Sequence, residues 1–351
     1  MKFIGLCLFI ATLCVNNIGA TTLNFLSDFT IHTGEEILGS EIGGISAITY
    51  LEKQKLFMAL SDDRGGRGDK ITSAPRVFYF QLGLEDGKFD PISFSPLLLQ
   101  KDHTFPAMML DPEGLAVTKS GNVLISSEGY GAIVSPMILE FNRDLHFTRR
   151  YQLPDFLISM EAKQIAKRGV QNNMALESLT ITPNQAHLIT ATEYSLRQDQ
   201  SHVKKLGHDL SRIIVYKKSK NGFRPYRQAL YPLGGGRGLV ELLAINDNSL
   251  LSLERGWNPK TKKNDIRVFK TNFSKTTKLG KKKIHILRKK LVLNLDKVIP
   301  MLSKANQRLD NMEAMCLGPR LKNGNHTLII ASDNNFSDKQ RTLFLIFELV
   351  P

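Results

Sequence analysis

Nine carboxylates recur at two fixed places in a repeating pattern along this chain. Glu113, Glu177, Glu241 and Glu313 each open an apolar run, and Asp62, Glu128, Glu193, Glu254 and Asp333 each close the run that follows. Gly44 stands at the tenth such place and breaks the set. Like charges held close together raise each other's pKa and cost stability unless something positive lies among them. One such neutraliser is a hard divalent cation, which takes several oxygen ligands. Asn172, Asn173, Asn311, Asn334 and Asn335 lie beside the acids in sequence and complete a shell of that kind. The other is arginine. Arg64, Arg197 and Arg255 follow closing acids, and Arg76, Arg212, Arg267 and Arg341 open a third run. About half of the acids therefore have a second candidate role, as ion-pair latches.

The elements that must position these groups are repeats. Five units open at Gly44, Glu113, Glu177, Glu241 and Glu313, spaced 64 to 72 residues apart. Each holds three short runs rich in β-branched and aromatic residues, separated by turn residues, which is the pattern of strands. Fourth strands are expected at 92–99, 147–153, 227–233 and 290–295. The fifth unit has none of its own, and Thr21 to Ile31 reads as a spare strand able to complete it. The expected fold is thus an all-β propeller of five four-stranded blades, closed by the N-terminal strand so that no sheet edge is left open. In such a disc the innermost strand starts on the face where the second strand ends, so both sets of acids converge on one mouth. Strand starts lie nearest the axis, which favours Glu113, Glu177, Glu241 and Glu313 for chemistry. All nine acids are candidate cation ligands.

Residues 1–20 carry Lys2, an apolar run from Phe3 to Val15 and small residues ending at Ala20, the layout of a secretory signal. The run is too short to span a bilayer as a helix. An exported, periplasmic or secreted protein is expected, with residues 21–351 as a single domain and no transmembrane segment. Cleavage after Ala20 leaves Cys316 as the one cysteine, in an apolar stretch that predicts an inert buried thiol. The net charge of +14 is concentrated between Lys260 and Lys290. That stretch has few interleaved aromatics, Phe269 and Phe273, and no nucleic-acid motif, so nucleic acid is not expected as a partner, leaving a solvated loop face or an anionic surface. Residues 154–168 predict a helix above the third blade. Gly234 to Gly238 lacks the Lys-Ser/Thr of a phosphate loop, the histidines show no zinc spacing, and no Gly-x-Ser-x-Gly elbow is present. Arg67-Gly68-Asp69 spells an adhesion tripeptide of a kind that arises often by chance.

Asn173-Met174-Ala175-Leu176-Glu177-Ser178-Leu179 with Ala191-Thr192-Glu193, and Asp310-Asn311-Met312-Glu313-Ala314-Met315 with Ser332-Asp333-Asn334-Asn335-Phe336, resemble segments of the "esterase-like activity of phytase" family. Asp111-Pro112-Glu113-Gly114-Leu115 and Leu253-Glu254-Arg255-Gly256 are similar to others, so the resemblance spans roughly residues 40 to 350. Gly44, Ala314 and the basic stretch depart from the pattern. The resemblance implies a hydrolase of phosphoric esters that uses Ca²⁺ held by the central carboxylates, with one spare carboxylate as general base. It also implies that Arg64, Arg197, Arg255 and Asn172 hold a small-molecule substrate, on a protein expected to be a monomer. Two alternatives stand beside it: a non-catalytic calcium-binding propeller, and a lactonase or carboxylesterase on the same scaffold.

Overall fold

The computed structural model describes residues 21–66, 72–84, 89–100, 103–129, 134–158 and 167–351. The leader-like segment, the adhesion tripeptide and most of the expected helix at 154–168 lie outside them. The described residues of that stretch include one 3-10 turn, Asp155–Leu157, and among the described residues of the chain an α-helix spans Gln200–Leu206.

Five antiparallel sheets form a five-bladed propeller. Blade 1 runs outward as Ile45–Leu51, Leu56–Ser61, Arg76–Leu82 and Phe89–Pro96, and blade 2 as Pro112–Val117, Val123–Ser127, Met137–Phe141 and Phe147–Tyr151. Blade 3 has Leu176–Ile181, His187–Thr192, Leu210–Ser219 and Gly222–Pro232, and blade 4 has Gly238–Ala244, Ser249–Asn258, Lys263–Asn272 and Lys289–Asn294. Blade 5 is Asn311–Arg320, His326–Asp333 and Arg341–Val350, and its outer strand is the N-terminal Thr22–His32. The two ends of the chain pair from Thr22↔Val350 to His32↔Arg341, with one bulge between Phe25 and Ser27. Part of the basic stretch is structured too: Thr277–Lys278 adds a fifth strand to blade 3, so the segment ties blade 3 to blade 4.

The runs read as continuous rather than alternating because both faces of a middle strand are covered by neighbouring blades. Leu343 to Phe347 are all fully buried. Apolar clusters fill the gaps between blades. Phe57, Phe78 and Phe80 of blade 1, for example, meet Phe344 and Ile346 of blade 5, and Leu253 and Val268 of blade 4 meet Leu328 and Leu345 of blade 5.

Every inner strand carries a register shift near its start, where the inner strand holds one more residue than its partner. The extra residue is Ser46 in blade 1, Glu177 in blade 3, Val240 in blade 4 and Glu313 in blade 5, while Glu113 and Gly114 share the bulge of blade 2. A bulge bends the strand and re-aims the side chain it carries. The residue pairing just before each bulge is opposite Ser61, Ser127, Thr192, Glu254 or Ser332, which places Asp62, Glu128, Glu193, Arg255 and Asp333 at equivalent sites. Blade 4 is therefore offset by one residue from the spacing of its acids in the sequence. It offers Val240 where blades 2, 3 and 5 offer Glu113, Glu177 and Glu313, and Arg255 where all four other blades offer a carboxylate.

A candidate carboxylate-lined active site on the propeller axis

Asp62, Glu113, Glu128, Glu177, Glu193, Glu313 and Asp333 come together at the mouth, joined by Asp111. Asp111 does not fit the repeat pattern of the other acids, because it stands one residue before the inner strand of blade 2. The backbone shows its equivalence to Gly44 of blade 1: Asp62 N–H donates to Gly44 O (2.7 Å) as Glu128 N–H donates to Asp111 O (2.9 Å). Gly44 itself has φ of +61°, and a Cβ there would lie 2.1 Å from Asp62 Oδ1, so no acid fits that place in blade 1.

Two arginines span the mouth from opposite sides. Arg64 of blade 1 donates Nε to Asp111 of blade 2 at 2.6 Å. Arg255 of blade 4 lies 2.8 Å from Glu313 of blade 5 and 3.8 Å from Glu193 of blade 3. Asn311 donates Nδ2 to Glu313 Oε1 (3.0 Å), Ala175 N–H donates to Glu128 Oε1 (2.8 Å), and Asn335 N–H donates to Asp333 Oδ1 (2.8 Å).

Two arginines do not neutralise eight carboxyls. Burial, followed by Asp333 and Glu313, holds Asp62 well above the usual carboxylate range. Burial with Glu177 does the same to Glu113, and burial with Glu128 and Glu193 does so to Glu177. Burial lifts Glu193 to about 8 against the pull of Arg255, and Asp333 to about 7 with the help of Glu313. Asp111 is lifted to about 6 by burial, with Arg64 restraining it. The protein alone thus keeps protons in the mouth near neutral pH.

A cation would displace those protons, and the donors fit one. Asp111, Glu113 and Glu128 each offer an oxygen, and these lie within 4.8 Å of one another; Glu128, Glu177 and Glu193 do the same. That spacing matches two oxygens on opposite sides of an ion whose oxygen distance is about 2.4 Å. Asp111 Oδ2 is buried and receives no hydrogen bond. Neither triad contains His or Cys, so the donor set is hard and suited to Ca²⁺ or Mg²⁺ rather than zinc.

The remaining expected site residues lie elsewhere. Glu241, one residue past the bulge, turns away from the mouth. It is buried, and its carboxyl accepts from the backbone N–H groups of Leu242, Leu179 and Met315. Burial pushes its pKa well up and those three bonds pull it back. Glu254 is fully buried between blades 3 and 4, where Tyr231, Arg237 and Lys289 donate to it. Arg197 opens the short turn Arg197–Asp199 and donates Nε to Val170 O (3.2 Å), and Asn172 is exposed before the inner strand of blade 3. Three of the four third-strand arginines pair with other acids, each within its own blade rather than between blades, and Arg341 instead donates to the backbone oxygens of Ala305 (3.4 Å) and Arg308 (2.9 Å). Arg76 pairs with Asp63 at 2.8 Å, Arg212 with Asp199, and Arg267 with Asp265 at 2.9 Å. Cys316 is buried and its thiol is pushed up by burial, as an inert core group.

The model of the phytase-like family, described as esterase-like activity of phytase, matches residues 40–336. The chain belongs to that family. The match runs from before the inner strand of blade 1 to Phe336, and so takes in every carboxyl of the mouth. A comparison with curated proteins finds no match. Among solved structures, this phytase-like chain is similar to a periplasmic gluconolactonase, PpgL, of Pseudomonas aeruginosa, at 12% identity and TM-score 0.38, covering 95% of this chain and 100% of that one. It is also similar to an endo-arabinase of Bacteroides thetaiotaomicron, at 9% identity and TM-score 0.46, covering 95% and 98%. No described helix is long and apolar enough to cross a membrane.

Proposed function

We propose that this phytase-like propeller is an exported, Ca²⁺-dependent hydrolase of phosphoric esters, working at the axial mouth. One observation carries this reading: two oxygen triads that share Glu128, flanked by an arginine on either side. Asp111, Glu113, Glu128, Glu177 and Glu193 would hold the ion, with Asp62, Glu313 and Asp333 completing the acidic wall. Bound there, a divalent cation supplies Lewis acidity toward phosphate oxygens and toward water. The planar forks of Arg64 and Arg255 orient a phosphoryl group across the mouth. Glu113, Glu177 and Glu313, half-buried and open to the mouth, are the candidates for taking a proton from the attacking water. Glu241 is left out of that role because backbone donors already hold its carboxyl.

Hydrolysis of aryl phosphate mono- and diesters, run with Ca²⁺ and with chelator, tests the reading. Turnover that chelator abolishes is expected. Hydrolysis of lactones alone would move the reaction to carboxyl esters, and tight calcium binding without turnover on any ester would make the mouth a binding site only.

A further inference from the structure

Beyond Arg255 and Arg267, the second and third strands of blade 4 lose both neighbours. The inner strand pairs no further than Gly238↔Arg255 and the outer strand no further than Asn294↔Arg267. The two strands continue alone as a tongue, paired through Gly256↔Asp265, Trp257↔Asn264 and Asn258↔Lys263. The tongue stands on the mouth face, since it continues directly from Arg255. Between it and the segments 296–311 and 337–340 lies a cleft of about 600 Å³, ordinary for a small-molecule site. Its inner wall includes Arg255 and Asn311, the two side chains that hold Glu313, so the cleft opens onto the carboxyl cluster.

Two features of the cleft point to a ligand. Trp257 is the single tryptophan of the chain and stands 57% exposed on the cleft wall, although tryptophan is usually a highly buried residue. Its flat face offers a stacking surface. The cleft is also cationic on both sides: Lys262 and Lys263 on the tongue face Arg308 and Lys339 across it. The three lysines make no ion pair among the described residues, whereas Arg308 lies 3.5 Å from Asp310. Asp310 is buried and also accepts from Asn311 N–H, leaving Asp296 as the one exposed acid of the lining.

We propose that this cleft seats the non-reacting part of the substrate, a planar aromatic ring bearing a negative group of its own. The ring stacks on Trp257 and the negative group meets the lysines, which leaves the ester beside Glu313. The inference rests on the hydrolase reading for the word substrate, but the binding it asserts can be read without turnover.

Because Trp257 is the only tryptophan, its fluorescence reports the cleft directly. With Ca²⁺ present, non-hydrolysable 4-carboxybenzylphosphonate changes the emission saturably, and benzylphosphonate does so with a Kd about tenfold higher. Methylphosphonate leaves the emission unchanged. The double variant Lys262→Glu/Lys263→Glu raises the Kd for the carboxylated ligand about tenfold or more. Lys339→Glu, on the opposite wall and outside the tongue, does the same, so a misfolded tongue cannot mimic the result. No saturable response to either ring compound, or an equal response to methylphosphonate, overturns the proposal. Ring binding in a protein that hydrolyses no ester would instead overturn the hydrolase reading and leave the cleft standing.

Discussion

Glu113 sits where two demands conflict. As part of the mouth it crowds Glu177, Asp111 and Asp62, which burial and mutual repulsion make costly to ionise together. As a proposed base it must be ionised when the water arrives. A bound cation reconciles these demands, and the conflict gives Glu113→Gln two opposite signatures. Turnover falls by about 10²–10⁴-fold, while the chelated protein becomes more stable, because the amide is buried beside Glu177 without first having to take up a proton. Steady-state kinetics and thermal unfolding in chelator measure the two. A variant that lost activity and was also less stable without metal would mark Glu113 as a structural group. Asp111 shows what the sequence hides at this scale. It stands two residues before Glu113, and the backbone bond from Glu128 N–H, the oxygen triad with Glu113 and Glu128 and the Arg64 pair together place it in the mouth.

The blade was legible as an element because its strands are apolar on both faces and end on charged residues, so five units stand out from composition alone. The closing N-terminal strand was legible for a different reason: the fifth unit has no fourth strand of its own, and Thr21 to Ile31 precedes the first unit as a spare run. The one-residue register was not. In blade 4 the pairs Val240-Glu241 and Glu254-Arg255 each offer an acid beside a non-acid, and only the bulge position decides which of the two faces the axis. That offset turns two expected ligands into packing groups. Glu241→Ala orphans three buried backbone N–H groups and costs about 3 kcal/mol or more, at roughly 1–3 kcal/mol for each lost bond. Glu241→Gln keeps an acceptor oxygen and costs less. Glu254→Ala takes the acid from Lys289 and leaves Arg237 only Asp265, at 2.6 Å, and costs about 3–5 kcal/mol. Denaturant unfolding measures the losses, and calorimetric titration of the folded variants with Ca²⁺ finds affinity within about twofold of the parent. A large loss of calcium affinity in either would place the residue back in the mouth.

For the whole molecule, the mouth makes stability depend on pH in an unusual direction. Glu193 and Asp333 reach about 8 and about 7 in the folded chain, against 4.5 and 3.8 for ordinary carboxyls, and Asp111 reaches about 6. The folded protein therefore holds protons that the unfolded chain has released, and stability falls as pH rises through that window. Metal-free protein loses thermal stability from about pH 4 to about pH 8, and calcium removes most of the slope. A melting temperature in chelator that is flat or rises over that range would show that the mouth is already neutralised by its arginines. The pairing of Thr22–His32 with Arg341–Val350 adds a dimension of time. The earliest strand of the ring waits for the last, so blade 5, which carries Glu313 and Asp333, is complete only when everything else has been made. A cation held between the acids of blade 5 and those of its neighbours would therefore act as a rivet beside the seam, helping to keep the ring shut as well as serving any substrate.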